Sequence, residues 1–237
     1  MRAFLFDLDD TLFDHRHSTR VALSVIRRRL VPLGALSMER LEEVHGLVLE
    51  EMHREVLTGA MSVDAARVAR FRRLLELQGE AARDAEIEAA AQAYRTAYLE
   101  ARRAVAGAVA VLRRLRPHGA IAIVSNNITA EQTDKIAVCG IRDHVDALVV
   151  SEEAGVAKPD PAIFRVALAR LGASAEQAVM IGDSWHADIT GALAAGIRAV
   201  WFNPQRRPCP DRDAIAGEIE AWEPADVVVE RILRCAE

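Results

Sequence analysis

Three side chains near the start of the chain are of types that could carry out chemistry. Asp7, Asp9 and Thr11 directly follow the apolar run Phe4–Phe6. Short apolar runs of this kind are typical of buried strands in parallel sheets, whose ligands bind beyond the carboxyl ends of the strands. Two neighbouring carboxylates repel each other unless a divalent cation such as Mg2+ lies among them and also binds phosphate oxygens. Taken alone, the segment could equally be a solvated acidic turn.

Three later segments repeat this pattern of an apolar run that stops at polar residues. The polar residues are Ser125 and Asn126 after the run Ile121–Val124, Lys158 beyond the run Leu148–Val150, and Asp183 with Asp188 after the run Val179–Gly182. In chain order, the four stretches resemble the four motifs of the haloacid dehalogenase-like superfamily. The match is specific as a set, whereas Ser125 or Lys158 alone carries little information. The resemblance covers the chain from Met1 to about Asp14 and from about Val105 onward.

The resemblance implies phosphoryl transfer through an aspartyl-phosphate intermediate. Asp7 would attack phosphorus as a carboxylate nucleophile, which splits one difficult displacement into two easier ones. Asp9 would give a proton to the departing alcohol and later take one from the hydrolytic water. Thr11 would support the turn by hydrogen bonding rather than react, and it is counted among the predicted substrate-binding residues.

The resemblance also implies a Mg2+ site. Asp7, the main-chain carbonyl of Asp9, and Asp183 would hold the ion, and Asp188 would contact it indirectly or through water. The charge of the ion would offset the negative charge that develops during the transfer.

The phosphate itself would be bound by the second and third motifs. Ser125 and the backbone amide of Asn126 would donate hydrogen bonds to its oxygens, and Lys158 would place a positive charge beside it. Members of the superfamily often carry Gly where this chain has Asn127. Asn also accepts a positive φ, so the loop is compatible with this departure.

The scarcity of lysine gives a separate argument for Lys158. The chain has 30 basic residues, of which only Lys135 and Lys158 are lysine. This indicates that position 158 requires a compact ammonium rather than a guanidinium fork. Lys135 is expected to be exposed on a helix that starts near Thr129, where Thr129 and Gln132 could form a capping box.

The segment between Asp14 and Arg103 contains no strand-like run and is predicted to be wholly helical. One helix stops near Pro32, a second begins after Ser37, a third begins after Ser62, and an Ala-rich fourth follows. By resemblance, residues 15–103 would form an α-helical cap that closes over the site and selects the substrate.

The remaining segments, 1–14 and 104–237, form the predicted catalytic core. Strands and helices alternate there, which favours an α/β fold with a Rossmann-like parallel sheet and helices on both faces. Trp185, between the last two motif acids, could stack on a ring of the leaving group or pack its helix against the sheet.

Composition limits the function classes. A net charge of −5 without an extended like-charge tail argues against a nucleic acid polymer as partner. The chain has no apolar stretch long enough to cross a bilayer and no room for a signal peptide before the first strand, so we expect a cytoplasmic protein. The run Arg67, Arg70, Arg72 and Arg73 could attract an anionic substrate, but a charged helix face usually only keeps a protein soluble. The run is therefore interpreted as a solvent-facing helix surface and not as a binding site. Monomer and homodimer both remain open.

Several chemistries share this set of motifs. The stretch 151–159 resembles the corresponding stretch of pyrimidine nucleotidases and of other small-metabolite phosphatases. This suggests that the substrate is a small phosphorylated metabolite, with a nucleoside monophosphate as the first candidate. A hexose-phosphate mutase uses the same acids. A 2-haloacid dehalogenase attacks carbon without Mg2+ and typically lacks the second acid, so Asp9 and Asp183 argue against it. A non-catalytic binding protein on this scaffold would usually have lost the acids.

Overall fold

The computed structural model describes residues 2–57 and 59–236. Met1, Thr58 and Glu237, which the predicted core and cap include, lie outside the described residues. The chain divides into two compact units. The sheet unit comprises Met1–Asp14 and Arg103–Glu237, and the helical unit comprises His15–Arg102. Arg103 thus belongs to the sheet unit, whereas the sequence analysis placed the last residue of the helical segment at position 103.

The described part of the helical unit contains helices and no strand. Its helices are α1 (His15–Arg29), α2 (Val31–Gly34), α3 (Met38–Leu57), α4 (Val63–Glu76) and α5 (Asp84–Glu100). The predicted caps are present: the Ser37 side chain accepts the N–H of Arg40, and that of Ser62 accepts the N–H of Ala65. The short helix α2 was not expected. Pro32 lies in its first turn, where a missing N–H costs no hydrogen bond, so this proline starts a helix as well as ending α1.

The sheet unit alternates strands and helices, as predicted. Its elements are β1 (Ala3–Phe6), α6 (Ala108–Leu115), β2 (Ala120–Ser125), α7 (Thr129–Val138), β3 (Ala147–Val150), α8 (Ser151–Ala154), α9 (Pro161–Leu171), β4 (Ala178–Gly182), α10 (Gly191–Ala194), β5 (Arg198–Phe202), β6 (Gly217–Ile219) and α11 (Ala225–Cys235). The six strands are parallel and lie in the order β3-β2-β1-β4-β5-β6. The α/β Rossmann-like fold is confirmed.

The register of the central strands determines where the polar residues emerge. Strand β1 lies between β2 and β4, and Phe6 is opposite Ile123 on one side and Ile181 on the other. The N–H of Asp7 donates to the carbonyl of Ile181 at 2.9 Å, which extends the ladder by one residue. Because parallel strands end at the same edge of a sheet, the residues that follow β1, β2 and β4 come together there.

The core is continuous through the central strands, and every residue of β1 and β4 is buried. Trp185 packs against this core and meets Trp201 edge to face, with ring centroids 5.3 Å apart. The packing role expected for Trp185 is therefore the one the fold uses.

Candidate active site

The ammonium of Lys158 joins two carboxylates at the carboxyl edge of the sheet. Its Nζ lies 2.6 Å from Asp7 Oδ1 and 2.6 Å from Asp188 Oδ1. All three side chains are buried. The Asn126 amide fixes the main chain of Lys158 from both sides, since its Oδ1 accepts the Lys158 N–H at 2.7 Å and its Nδ2 donates to the Lys158 carbonyl at 2.8 Å. The loop after β2 and the loop after α8 are thereby held together.

Three carboxylates converge at this edge. Asp7, Asp183 and Asp188 each offer an oxygen, and these oxygens lie within 4.8 Å of one another. Burial raises the pKa of Asp7 to about 7; Lys158 opposes this shift, and Asp188 and Asp9 add to it. Burial by itself would lower the pKa of Lys158, but the two carboxylates outweigh it and raise that pKa above its usual value. Three carboxylates this close together are suited to binding a divalent cation such as Mg2+, which prefers oxygen ligands and would favour the ionised form of Asp7.

Asp9 points away from this group and is held by two residues of α7. Lys135 Nζ lies 2.6 Å from Asp9 Oδ1, and Gln132 Nε2 donates to Asp9 Oδ2 at 2.9 Å. The expectation of an exposed Lys135 is wrong, because only 3% of this residue is exposed. The expected capping box is wrong as well: Gln132 turns inward, and the N–H of Thr129 donates instead to Glu152.

The local sequence does not indicate the roles of Lys135 and Gln132, because Asp9, the residue that both contact, is remote in sequence. They are three residues apart and therefore lie on one face of α7, which also buries Ile136. The only sequence signal was that a chain almost without lysine retains one at position 135.

Gln132 also couples Asp9 to Ser125. Its Nε2 lies 2.5 Å from Ser125 Oγ as well as 2.9 Å from Asp9 Oδ2. Since an amide nitrogen can only donate, the Ser125 oxygen accepts, and its own hydrogen can be donated to another acceptor. This agrees with the predicted role of Ser125 as a donor to a phosphate oxygen.

Thr11 ties the first motif to the fourth. It is fully buried, and its hydroxyl accepts the N–H of Asp183 at 3.1 Å. Its carbonyl accepts from the indole of Trp222 at 2.7 Å. The turn before it requires a left-handed residue, and Asp10 supplies it with φ 62°. Thr11 therefore supports the turn, and a contact between Thr11 and a substrate stays a prediction.

The end of β4 and the π-helical turn Trp185–Thr190 that follows it position two of the acids. Asp188 accepts the N–H of Ser184 through Oδ2 at 2.9 Å, which directs its other oxygen to Lys158. The Asp188 carboxylate lies so close to Gly182 that a Cβ at position 182 would collide with it. The Asp183 carbonyl accepts from the Trp201 indole at 2.9 Å. The glycine at the end of β4 is thus required by the close approach of an acid.

Asn127 does not use its tolerance of a positive φ. Among the described residues other than glycine, only Asp10 and Arg206 have a positive φ. Asn127 instead accepts the N–H of Ile128 through its side chain at 2.8 Å, and its carbonyl accepts from the Ser151 hydroxyl at 3.2 Å. The loop is therefore built without the glycine conformation.

Within residues 2–57 and 59–236, no helix is long and apolar enough to cross a membrane.

Comparisons with known proteins extend over both units. Residues 1–196 match the family model of haloacid dehalogenase-like hydrolases. The chain is 36% identical to a ribulose-1,5-bisphosphate 5-phosphatase of Halopiger xanaduensis over 85% of this chain and 84% of that protein. It is 39% identical to a pyrimidine 5'-nucleotidase of Escherichia coli K12 over 44% of this chain and 47% of that one. The magnesium-bound crystal structure of the HAD-hydrolase YfnB from Bacillus subtilis is 26% identical and has a TM-score of 0.73, covering 96% of this chain and 98% of that one.

Proposed function

Because the chain belongs to the haloacid dehalogenase-like hydrolase family, we propose that it hydrolyses phosphomonoesters through an aspartyl-phosphate at Asp7. The resemblance inferred from the motifs is confirmed by the family match and by relatives named as phosphatases and a nucleotidase. The chain is accordingly a phosphatase of small phosphorylated metabolites. The observation that carries the proposal is the buried contact of Asp7 with Lys158 among the acids at the edge of the sheet.

Asp7 is the proposed nucleophile. One of its oxygens forms a bond to phosphorus, and the bond from phosphorus to the departing alcohol oxygen breaks. Lys158, with Nζ 2.6 Å from Asp7 Oδ1, favours the ionised carboxylate that the attack requires. It also places a positive charge where the phosphoryl oxygens would lie.

Asp9 is the proposed acid and base. It gives a proton to the departing alcohol, and later takes a proton from the water whose oxygen attacks phosphorus. The bond between phosphorus and Asp7 then breaks, which releases inorganic phosphate and restores the Asp7 carboxylate. Asp9 is held by Lys135 and Gln132 of α7, whereas Asp7 is held by Lys158, so different side chains orient the proposed acid and base and the proposed nucleophile.

Lys135 and Gln132 are proposed as positioning residues for Asp9. Together they occupy both carboxylate oxygens. A charged and a neutral donor fix the orientation of the carboxylate and leave the rest of its hydrogen-bonding capacity for a reacting group. Gln132 also holds Ser125, which links the phosphate-binding serine to the acid and base.

Mg2+ is the proposed cofactor, as is general for hydrolases of this family. Asp7, Asp183 and the main-chain carbonyl of Asp9 would hold it, and Asp188 would contact it indirectly or through water. The carboxylate oxygens of Asp7, Asp183 and Asp188 that lie within 4.8 Å of one another support this proposal. When bound, the ion offsets negative charge on the acids and on the phosphoryl oxygens. Ser125 and Asn126 would bind those oxygens from the side of β2.

The substrate is proposed to be a nucleoside monophosphate or a sugar phosphate. The relatives named above act on a pyrimidine nucleotide and on a sugar bisphosphate. Selection of the substrate by the helical unit as a cap stays a prediction from the resemblance.

The test is phosphate release from p-nitrophenyl phosphate, nucleoside monophosphates and sugar phosphates, with Mg2+ and then with a chelator. We expect turnover that the chelator abolishes and that Asp7→Asn eliminates while the protein stays folded. Turnover that survives either treatment would contradict the roles of the metal or of Asp7.

If the protein hydrolyses none of the phosphomonoesters, the alternatives of a mutase, a dehalogenase or a binding protein are favoured. Interconversion of hexose phosphates without phosphate release would identify a mutase. Halide release from 2-haloacids in chelator would identify a dehalogenase. Absence of all three activities in folded protein would favour a binding protein.

A further inference from the structure

Arg70, on helix α4 of the helical unit, carries a buried guanidinium group. Only 8% of the residue is exposed, and its Nε is buried without a hydrogen-bond partner. Within the described residues, no carboxylate forms an ion pair with it. The other arginines of the same run all have acidic partners: Arg67 pairs with Asp64, Arg72 with Asp84, and Arg73 with Glu51 and Glu76. The interpretation of the run as a solvent-facing surface is therefore wrong for Arg70.

The environment of Arg70 is aromatic and cationic. Its Cζ lies 4.4 Å from the ring centroid of Tyr94 and 4.9 Å from that of Phe71. Cation–π contacts of this kind offset part of the cost of burial, but a ring face cannot accept the in-plane N–H groups of the guanidinium. Burial lowers the pKa of Arg70; Tyr94 and Tyr98 oppose this shift, and the charges of Arg67 and Arg95 add to it.

His45 presents a second unsatisfied polar atom beside the same ring. Only 1% of His45 is exposed, and its Nε2 is buried without a hydrogen-bond partner. Its ring centroid lies 5.3 Å from that of Tyr94, the ring that Arg70 also covers. Burial lowers the pKa of His45, and the charges of Arg70 and His15 lower it further, so the imidazole is neutral near pH 7. A neutral imidazole can donate from Nε2 in one of its tautomers.

We propose that Arg70 and His45 form a site in the helical unit for a small oxyanion, namely the phosphate or carboxylate group of a metabolite. Such a group would supply the missing countercharge of Arg70 and an acceptor for its Nε. It would also accept from His45 Nε2. Charged hydrogen bonds to oxyanions are the strongest that a guanidinium forms, and buried unpaired donors are otherwise rare. The proposal uses residues of the helical unit only and does not depend on the proposed hydrolysis.

The test is thermal unfolding of the full-length protein in chelator, with low-millimolar sulfate as a phosphate analogue and acetate as a carboxylate. An anion that binds only the folded state raises the unfolding temperature in a saturable way. We expect this rise in the wild type and its loss in Arg70→Met. Arg73→Met is the matched control, because Arg73 lies on the same helix with a buried, unbonded Nε but has acidic partners. It should keep the response.

Two further variants keep the proposal testable if Arg70→Met does not fold. Arg70→Lys keeps the positive charge but loses the paired N–H donors of the guanidinium, and it should weaken sulfate binding roughly tenfold. His45→Gln should weaken it as well. A response to sulfate but not acetate would assign the site to phosphate groups, and the reverse would assign it to carboxylates.

An equal response in wild type, Arg70→Met and Arg70→Lys would overturn the proposal, because the anion would then bind elsewhere. Absence of any response in the wild type would also overturn it. A lower unfolding temperature in Arg70→Met would then assign Arg70 a purely structural stacking role.

Discussion

Lys135 Nζ lies 2.6 Å from Asp9 Oδ1, across 126 residues of sequence. The lysine side chain is almost fully buried, whereas about a quarter of the Asp9 side chain is exposed, 4% against 26%. Lys135 also lies 5.0 Å from the ring centroid of Phe13, on the same loop as Asp9. The lysine thus fixes an acid that still reaches solvent, which is the arrangement required of a group that exchanges protons with substrate and water.

Lys135→Met should lower kcat by roughly 10- to 100-fold, because a misoriented Asp9 transfers protons poorly. KM should change far less, since Ser125, Asn126 and Lys158 are untouched. Steady-state kinetics with the best substrate of the panel, together with the unfolding temperature, would measure this.

Thr133→Met is the control for this change, because Thr133 is exposed on the same helix. It should leave kcat unchanged, and Lys135→Arg should restore part of the lost rate. A normal kcat in Lys135→Met would contradict the positioning role, as would a loss of rate that simply follows a loss of folded protein.

Lys158→Met should abolish turnover and destabilise the metal-free protein by about 3–5 kcal/mol, because Asp7 and Asp188 would lose their shared buried cation. Mg2+ should restore much of that stability by replacing the lost positive charge. Urea unfolding with Mg2+ and with chelator measures both values. Equal destabilisation under the two conditions would show that the acids do not bind the ion.

Gly182→Ala should destabilise the protein and reduce turnover, because the added Cβ meets the Asp188 carboxylate and displaces it from Lys158. A cost of about 1–3 kcal/mol is typical of overpacking a close contact. Gly46→Ala is the control: a Cβ there meets nothing within 4 Å, and the helix should gain up to ~1 kcal/mol. Urea unfolding of both variants compares them, and an unaffected Gly182→Ala would rule out the close approach.

His45 should make stability depend on pH below about 6.5. Its folded-state pKa lies well below the usual value because burial, Arg70 and His15 disfavour the charged form. The unfolded chain therefore binds more protons as pH falls through 6.5, and the free energy of unfolding falls by up to ~1.4 kcal/mol per pH unit. Above pH 6.5 this contribution is fully present.

Urea unfolding between pH 5 and pH 7 in chloride buffer, for wild type and His45→Gln, tests the pH dependence. The wild type should lose more stability on acidification than the variant. Parallel curves would mean that His45 is not buried in its neutral form.

The sequence predicted the positions that follow from strand order. Asp7 and Asp183 directly follow β1 and β4, Ser125 is the last residue of β2, and Lys158 lies beyond β3 and the short helix α8. All four are thus near the carboxyl ends of parallel strands, which the alternation of strands and helices was enough to predict. It did not predict Gln132 and Lys135, because a capping box and an exposed lysine were equally compatible with the local pattern. Arg70 was missed for a related reason: its burial depends on how α4 packs within the helical unit, and an arginine run gives no sign of which member faces inward.

Trapping the covalent intermediate tests the central claim most directly. The wild type and Asp9→Asn are mixed with substrate and Mg2+, quenched within a turnover, and reduced with borohydride, which converts an acyl-phosphate into an alcohol. Peptide mass spectrometry then locates the reduced residue. We expect reduction at Asp7 alone, with more of it in Asp9→Asn because hydrolysis of the intermediate is slowed. Active enzyme with no reduction at position 7, or with reduction at another acid, would contradict the proposed mechanism.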